Sequence, residues 1–214
     1  MRIRITFTKT GPLRYCSHLD LHGLWERAAR RAGLPLLYSQ GFHPLPRLQL
    51  AAALPLGFSG RAEIVDLWLD DSCRADLLTP AHLQSALPGG LIMRKADRVD
   101  ESSPPLQTLM QAAEYEVTLA GPPATDIHQG IRRIMDAVSL PRLRRGRPYD
   151  LRPLIESLQM IRKRKTDPLI LRMRLAQREG AAGRPDEVLQ ELGLPTEEAR
   201  IERSALIFRE KPIE

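Results

Sequence analysis

The sequence predicts an α+β fold of two tandem ferredoxin-like (βαββαβ) units packed together, and three observations carry that expectation. Short runs alternate apolar and polar residues, the period of half-buried strands. Between them lie segments with apolar residues at helical spacing, opened by Ser or Thr-Pro and closed by Gly. The order strand, Pro-started helix, Gly stop, strand at residues 63–99 returns at 168–209. A single α+β domain with an enlarged sheet is the alternative architecture.

The first unit is expected over residues 1–99. Ile3, Ile5 and Phe7 alternate with Arg2, Arg4, Thr6 and Thr8, which gives a strand with a basic outer face. Leu13 to Cys16 reads as a short extended piece. Ser17 followed by Asp20 has capping-box spacing, and Leu21, Leu24, Trp25, Ala28 and Ala32 form a buried helical stripe. Gly33 and Pro35 stop that helix, whose polar face carries Glu26, Arg27, Arg30 and Arg31. The stretch from Tyr38 to Gly57 joins two turns through Pro44, Pro46 and Pro55, with Arg47 to Ala53 as a strand. Glu63 to Leu69 is a strand, Ala81 to Leu87 a helix behind Thr79-Pro80, and Leu91 to Val99 a strand.

Residues 100–112, acidic and then Ser- and Pro-rich, read as a linker, and the second unit is expected over 113–214. Glu114 to Ala120 is a strand, and Asp126 to Val138 a helix with Ile127, Ile131, Ile134, Met135 and Val138 on one face. Leu140 to Leu158 is extended and basic, with a hairpin tip at Gly146. Pro168 to Gln177, Pro185 to Leu192 and Ala199 to Arg209 follow as strand, helix and strand.

The 214 residues are 43% apolar but only 5% aromatic, so the core should be mostly aliphatic. The net charge of +6 is unevenly placed. Residues 142–165 carry nine basic side chains against Asp150 and Glu156, and residues 1–48 carry eight against Asp20 and Glu26. Two basic blocks on an otherwise acidic chain point to a polyanionic partner. Two isolated cysteines form no disulfide framework, which suits a reducing cytoplasm. The N-terminal segment lacks the apolar run of a signal peptide, and no stretch is long enough to span a membrane.

Cofactor motifs are absent. The chain has no G-x-x-x-x-G-K-[ST] loop, no G-x-G-x-x-G fingerprint and no G-x-S-x-G elbow, and two cysteines cannot hold an iron–sulfur cluster. No cofactor is expected. Cys16, His18 and His22 have a spacing that could hold zinc with help from His43 or Cys73, but a bare His pair at i,i+4 commonly arises without metal, and none is expected. Metal-independent RNA cleavage would need a general acid and base; His18 and His43 are the candidates, with Tyr38 and Arg47 beside them. Nucleic-acid binding has more support. Arg27, Arg31 and Arg47 would contact phosphate, and Tyr38, Phe42 and His43 would stack or meet base edges. In the second block Arg142, Arg144, Arg145, Arg147 and Tyr149 would do the same, with Arg162 to Lys165 adding four consecutive charges and few acids to neutralise the run. Asp66 and Asp150 are expected either to orient arginines or to touch a base or hydroxyl.

The segments RYCSHLDLHGLWERAARRAGLP, YSQGFHPLPRLQLAAALPLG, AEIVDLWL and YDLRPLIESL resemble the bacterial radical-SAM-linked protein family, a domain of unknown function. Members of that family occur alone, joined to radical SAM domains, or associated with ribonuclease E/G-type proteins. The resemblance covers most of the chain and is densest from Arg14 to Leu69. It departs at Leu48-Gln49-Leu50 and Phe58-Ser59-Gly60-Arg61. It implies a place in RNA processing or modification. The chain itself has no radical SAM cysteine motif, so it reads as a partner of such an enzyme rather than the catalyst. The expectation is therefore a cytoplasmic RNA-binding accessory protein, acting on RNA of the tRNA or rRNA class, with a radical SAM enzyme or ribonuclease E/G-type protein as a possible partner. The alternatives are an adaptor that touches only protein and a small RNA-processing enzyme.

Overall fold

The computed structural model describes residues 1–119, 126–144, 146–161 and 168–209. Arg145 and the Arg162 to Lys165 run lie outside the described residues. The fold is mixed α+β, and its strands fall into two compact units, Met1–Leu109 and Met110–Glu214.

In the first unit β1 (Arg2–Lys9), α1 (His18–Arg31), β2 (Leu48–Leu50), β3 (Ser59–Trp68), α2 (Pro80–Ala86) and β4 (Leu91–Val99) precede a short α3 (Leu106–Leu109). The strands pair antiparallel in the order β2-β3-β1-β4. Ile3, Ile5 and Phe7 share one face with Val65, Leu67 and Leu69, and α1 lays Leu21, Trp25 and Ala29 into the same core. Phe7 meets Trp25 edge to face, with ring centroids 4.9 Å apart. Helix α1 starts where Ser17 predicts, because Ser17 and Asp20 close a reciprocal capping box. The expected extended piece at 13–16 is instead a 3-10 turn over Gly11–Tyr15, with Pro12 in its first turn. Strand β2 is shorter than the expected Arg47 to Ala53, because the chain already bends at Ala51.

The basic face of β1 is not an outer face. Arg2 is 1% exposed and Asp66, on the neighbouring β3, is fully buried. Asp66 stands directly opposite Arg4 in the ladder and accepts from both arginines. Arg2 Nε donates to Oδ2 at 2.8 Å, while Arg4 grips both oxygens at 2.9 and 3.0 Å. The other Arg2 donors reach the Ser103 and Pro104 carbonyls at 2.6 and 3.2 Å. Period-2 alternation identified the face, but it could not show that a carboxylate on the adjacent strand would neutralise it.

The second unit holds β5 (Met110–Leu119), α4 (Ile127–Asp136), β6 (Pro141–Arg144), β7 (Arg147–Asp150), β8 (Ile155–Ile161), β9 (Leu169–Arg178), β10 (Ala181–Ala182), α5 (Pro185–Glu191) and β11 (Arg200–Phe208). Its main strands pair antiparallel in the order β11-β5-β9-β8, with β10 folded back on the end of β9. Tyr115 and Val117 lie opposite Met173 and Leu171 in the β5–β9 ladder, and all four are buried. Ile134 of α4 and Val188 and Leu189 of α5 are buried as well. Helix α4 ends at Asp136, because Ala137 turns to extended geometry; Val138, expected on its apolar face, is 98% exposed. Residues 100–112, read from the sequence as a linker, contain α3 and the first three residues of β5, with Leu106, Met110 and Ala112 buried.

The buried Asp66 carboxylate yields the first prediction. Asp66→Asn keeps the shape but leaves two guanidiniums without their counter-charge. Breaking a buried pair costs roughly 3–5 kcal/mol, so the urea midpoint should fall steeply. Asp97→Asn, which loses only an exposed pair with Lys95, should move it little. Equal midpoints for the two variants would contradict this account of Asp66.

Candidate nucleic-acid interface

The stretch between α1 and β3 builds the site by pinning its two ends and releasing its middle. Leu37 N donates to Trp68 O, Arg47 N to Leu37 O, and Trp68 N to Arg47 O, at 2.8, 2.7 and 3.0 Å. Ser39 and Leu45 close the neck, backbone to backbone at 2.8 Å and Leu45 N to Ser39 Oγ at 3.0 Å. Pro44 and Pro46 stiffen the return, and Gly41, at φ +135°, takes a backbone conformation that side chains disfavour. Residues 40–44 therefore project as a tip, with Phe42 fully exposed and His43 exposed beside it.

Beside this neck lies an open cleft of about 480 Å³. His18 and His22, one turn apart on α1, line it with Arg47, Gln49, Trp68 and Gln107. The Arg47 guanidinium lies 5.2 Å from the Trp68 ring centroid and that of Arg2 lies 4.8 Å from it. Of the two acid–base candidates only His18 lines the cleft; His43 and Tyr38 do not. The Arg30 guanidinium lies over Tyr38 at 5.9 Å and pairs with Glu26. Arg27 is exposed on α1. Arg31 has structural work instead, donating to the Ala86 carbonyl at the end of α2 at 2.6 and 3.2 Å.

The second basic block forms the expected hairpin, β6 against β7, and Gly146 turns it at φ +77°. Two of its arginines are not free. Arg142 pairs with Glu191, and Arg144 with Glu187 at 2.8 Å. These glutamates are i,i+4 on α5, so one helix face receives both. Arg144 also donates to the Ala182 carbonyl at 3.0 Å and lies over the Tyr149 ring at 4.6 Å. The expectation that few acids neutralise this run is therefore corrected: the acids come from a helix some forty residues on in the chain. Arg147 is exposed and has no partner among the described residues. Asp150 accepts from Leu140 N at 2.7 Å and Arg152 N at 2.9 Å, and these bonds hold its carboxyl below the usual range. It fastens the base of the hairpin.

Among the described residues no group of three or more His, Cys, Asp and Glu is placed to hold a metal. Cys16 packs against the core, and burial pushes its thiol up, as it does that of Cys73. Trp68, Gln49 and Gln107 are the cleft residues that sequence reasoning passed over as site residues. The available signal is strand alternation, which sets Trp68 on the face of β3 away from Val65 and Leu67. Among the described residues no helix is long and apolar enough to cross a membrane.

Fold and site together describe a mixed α+β protein with a basic cleft and a projecting aromatic tip on its first unit. The chain belongs to the family described as an uncharacterized protein conserved in bacteria (DUF2344), whose pattern matches residues 2–185. No curated protein matches it. Among solved structures it is similar to a chain in the crystal structure of a Cbf5-Nop10-Gar1 complex, at 13% identity and a TM-score of 0.49. That alignment covers 98% of this chain and 50% of the other, so the chain spans about half the length of its structural neighbour.

The Tyr149 cluster carries the second prediction. Burial first, then the Glu187 carboxylate, pushes the Tyr149 phenol up to about 12. A phenol raised above its unfolded value of ~10 favours folding below that pH, and the contribution is lost as pH rises through about 12. Ultraviolet titration of the native chain should include a late tyrosine that Tyr149→Phe removes. An unchanged titration in that variant would refute the assignment.

Proposed function

We propose that this chain is an RNA-binding accessory protein of RNA processing or modification, and that the first unit makes the principal contact. One observation carries the reading: His18, His22 and Arg47 converge on an open cleft that also holds Trp68, next to a tip whose Phe42 is fully exposed. A cation beside an exposed aromatic ring is what a phosphate backbone with accessible bases requires. His43 would extend that surface, while Arg27 stands on the other side of α1 from His18 and His22. Because Arg142 and Arg144 are held by glutamates, the hairpin would contribute through Arg147 and, more weakly, Tyr149. The finer architecture belongs to the same proposal. Both units support a ferredoxin-like reading, since a strand order of 4-1-3-2 is what βαββαβ units give, with units at 1–99 and 113–214. The resemblance to radical-SAM-linked proteins supports a radical SAM enzyme as the partner, in the cytoplasm.

Affinity for RNA, followed by fluorescence anisotropy, should fall steeply as salt rises. Arg47→Ala should weaken binding several-fold and flatten the salt slope by about 0.7, the loss of one single-strand phosphate contact. Absence of binding at low salt, or binding indifferent to salt, would sink the proposal.

A further inference from the structure

We infer that the RNA feature recognised is an unpaired nucleotide, taken into the His18–Arg47–Trp68 cleft while Phe42 stacks on a neighbouring base; the inference rests on the RNA-binding reading above. A duplex keeps its bases stacked and offers mainly phosphates and sugars to a protein surface. Phe42 has no use on such a surface, because its fully exposed ring sits at a tip that stays away from the core. A splayed single strand presents base faces instead, and an aromatic ring accepts any of them.

The cleft has the matching size and chemistry. At about 480 Å³ it falls within the ~300–1,000 Å³ of sites that enclose small ligands. Its polar groups are partly spent, and what remains is complementary. Gln49 Oε1 accepts from Leu106 N at 3.1 Å, which leaves its amide nitrogen as a donor. Gln107 Nε2 donates to Leu50 O at 3.4 Å, which leaves its amide oxygen as an acceptor. One donor and one acceptor in the same cleft suit the edge of a base. Arg47 supplies a cation and His18 and His22 supply ring nitrogens for the attached phosphate, and Trp68 supplies an aromatic wall. The neck at Ser39 and Leu45 fixes the tip relative to the cleft, so ordering it on binding costs little.

The test compares a short unstructured RNA strand with the same strand annealed to its complement, using the full chain. The single strand should bind at least tenfold more tightly. Phe42→Ala should cost the single strand about tenfold, the scale of one lost stacking platform, and leave duplex affinity unchanged; Phe42→Trp should restore it. Binding of the single strand should quench tryptophan fluorescence, and Trp68→Phe should abolish the quench because Trp25 is buried in the core. Equal affinity for the two forms, or full single-strand affinity in Phe42→Ala, would overturn the unpaired-nucleotide inference while leaving RNA binding in place. Failure of both forms to bind at low salt would overturn both readings.

Discussion

Asp66 is the constraint on which the first unit depends. A carboxylate buried between Arg2 and Arg4 contributes little net stability, because desolvating three charges offsets most of their attraction. Its effect is on register. Arg4 faces Asp66 in the β1–β3 ladder, Arg2 faces Trp68, and Ile5 faces Val65. A slip of β3 by one residue would turn Asp66 to the core face with Ile5 and Phe7 and send Val65 and Leu67 to the face of Arg2 and Arg4. The charge triad and the apolar layer therefore specify the same pairing from opposite faces of one sheet.

That register reaches the candidate site in two steps. It sets Trp68 opposite Arg2, whose guanidinium lies against the indole. Trp68 then exchanges backbone hydrogen bonds with Leu37 and Arg47, which fixes where the neck of the loop leaves the sheet. Arg2 also reaches the Ser103 and Pro104 carbonyls, next to the segment whose Leu106 and Gln107 meet Gln49 and Leu50 at the cleft. Damage at Asp66 would thus spread to the cleft through the backbone.

The sequence was most legible where a feature is local. The Ser17–Asp20 capping box, the Gly33 stop, the long strands β1, β3, β4, β9 and β11 and the hairpin at Gly146 all follow from spacing and turn chemistry within a few residues. It was least legible where charges meet across the chain. Arg2 and Arg4 read as a basic outer face because Asp66 is sixty-odd residues away. Arg142 and Arg144 read as free because Glu187 and Glu191 belong to an unrelated-looking helix. Charge density along a sequence counts the cations but not their partners. A functional reading built on it must be corrected by geometry.

The correction changes which arginines can bind anything. A guanidinium held by a carboxylate, a carbonyl and an aromatic face, as Arg144 is, must surrender those contacts before it can meet a phosphate. Arg47 surrenders at most a stacking contact with Trp68, and it faces open solvent in a cleft with two histidines. The denser basic block is therefore the poorer anion site and the sparser one the better. On the first unit Phe42, His43 and Arg47, side chains little used by the fold, gather around one neck and its cleft. A fold that leaves its fully exposed aromatic on a tip pinned by hydrogen bonds and two prolines has limited that tip's freedom without burying it, the arrangement a recognition loop needs.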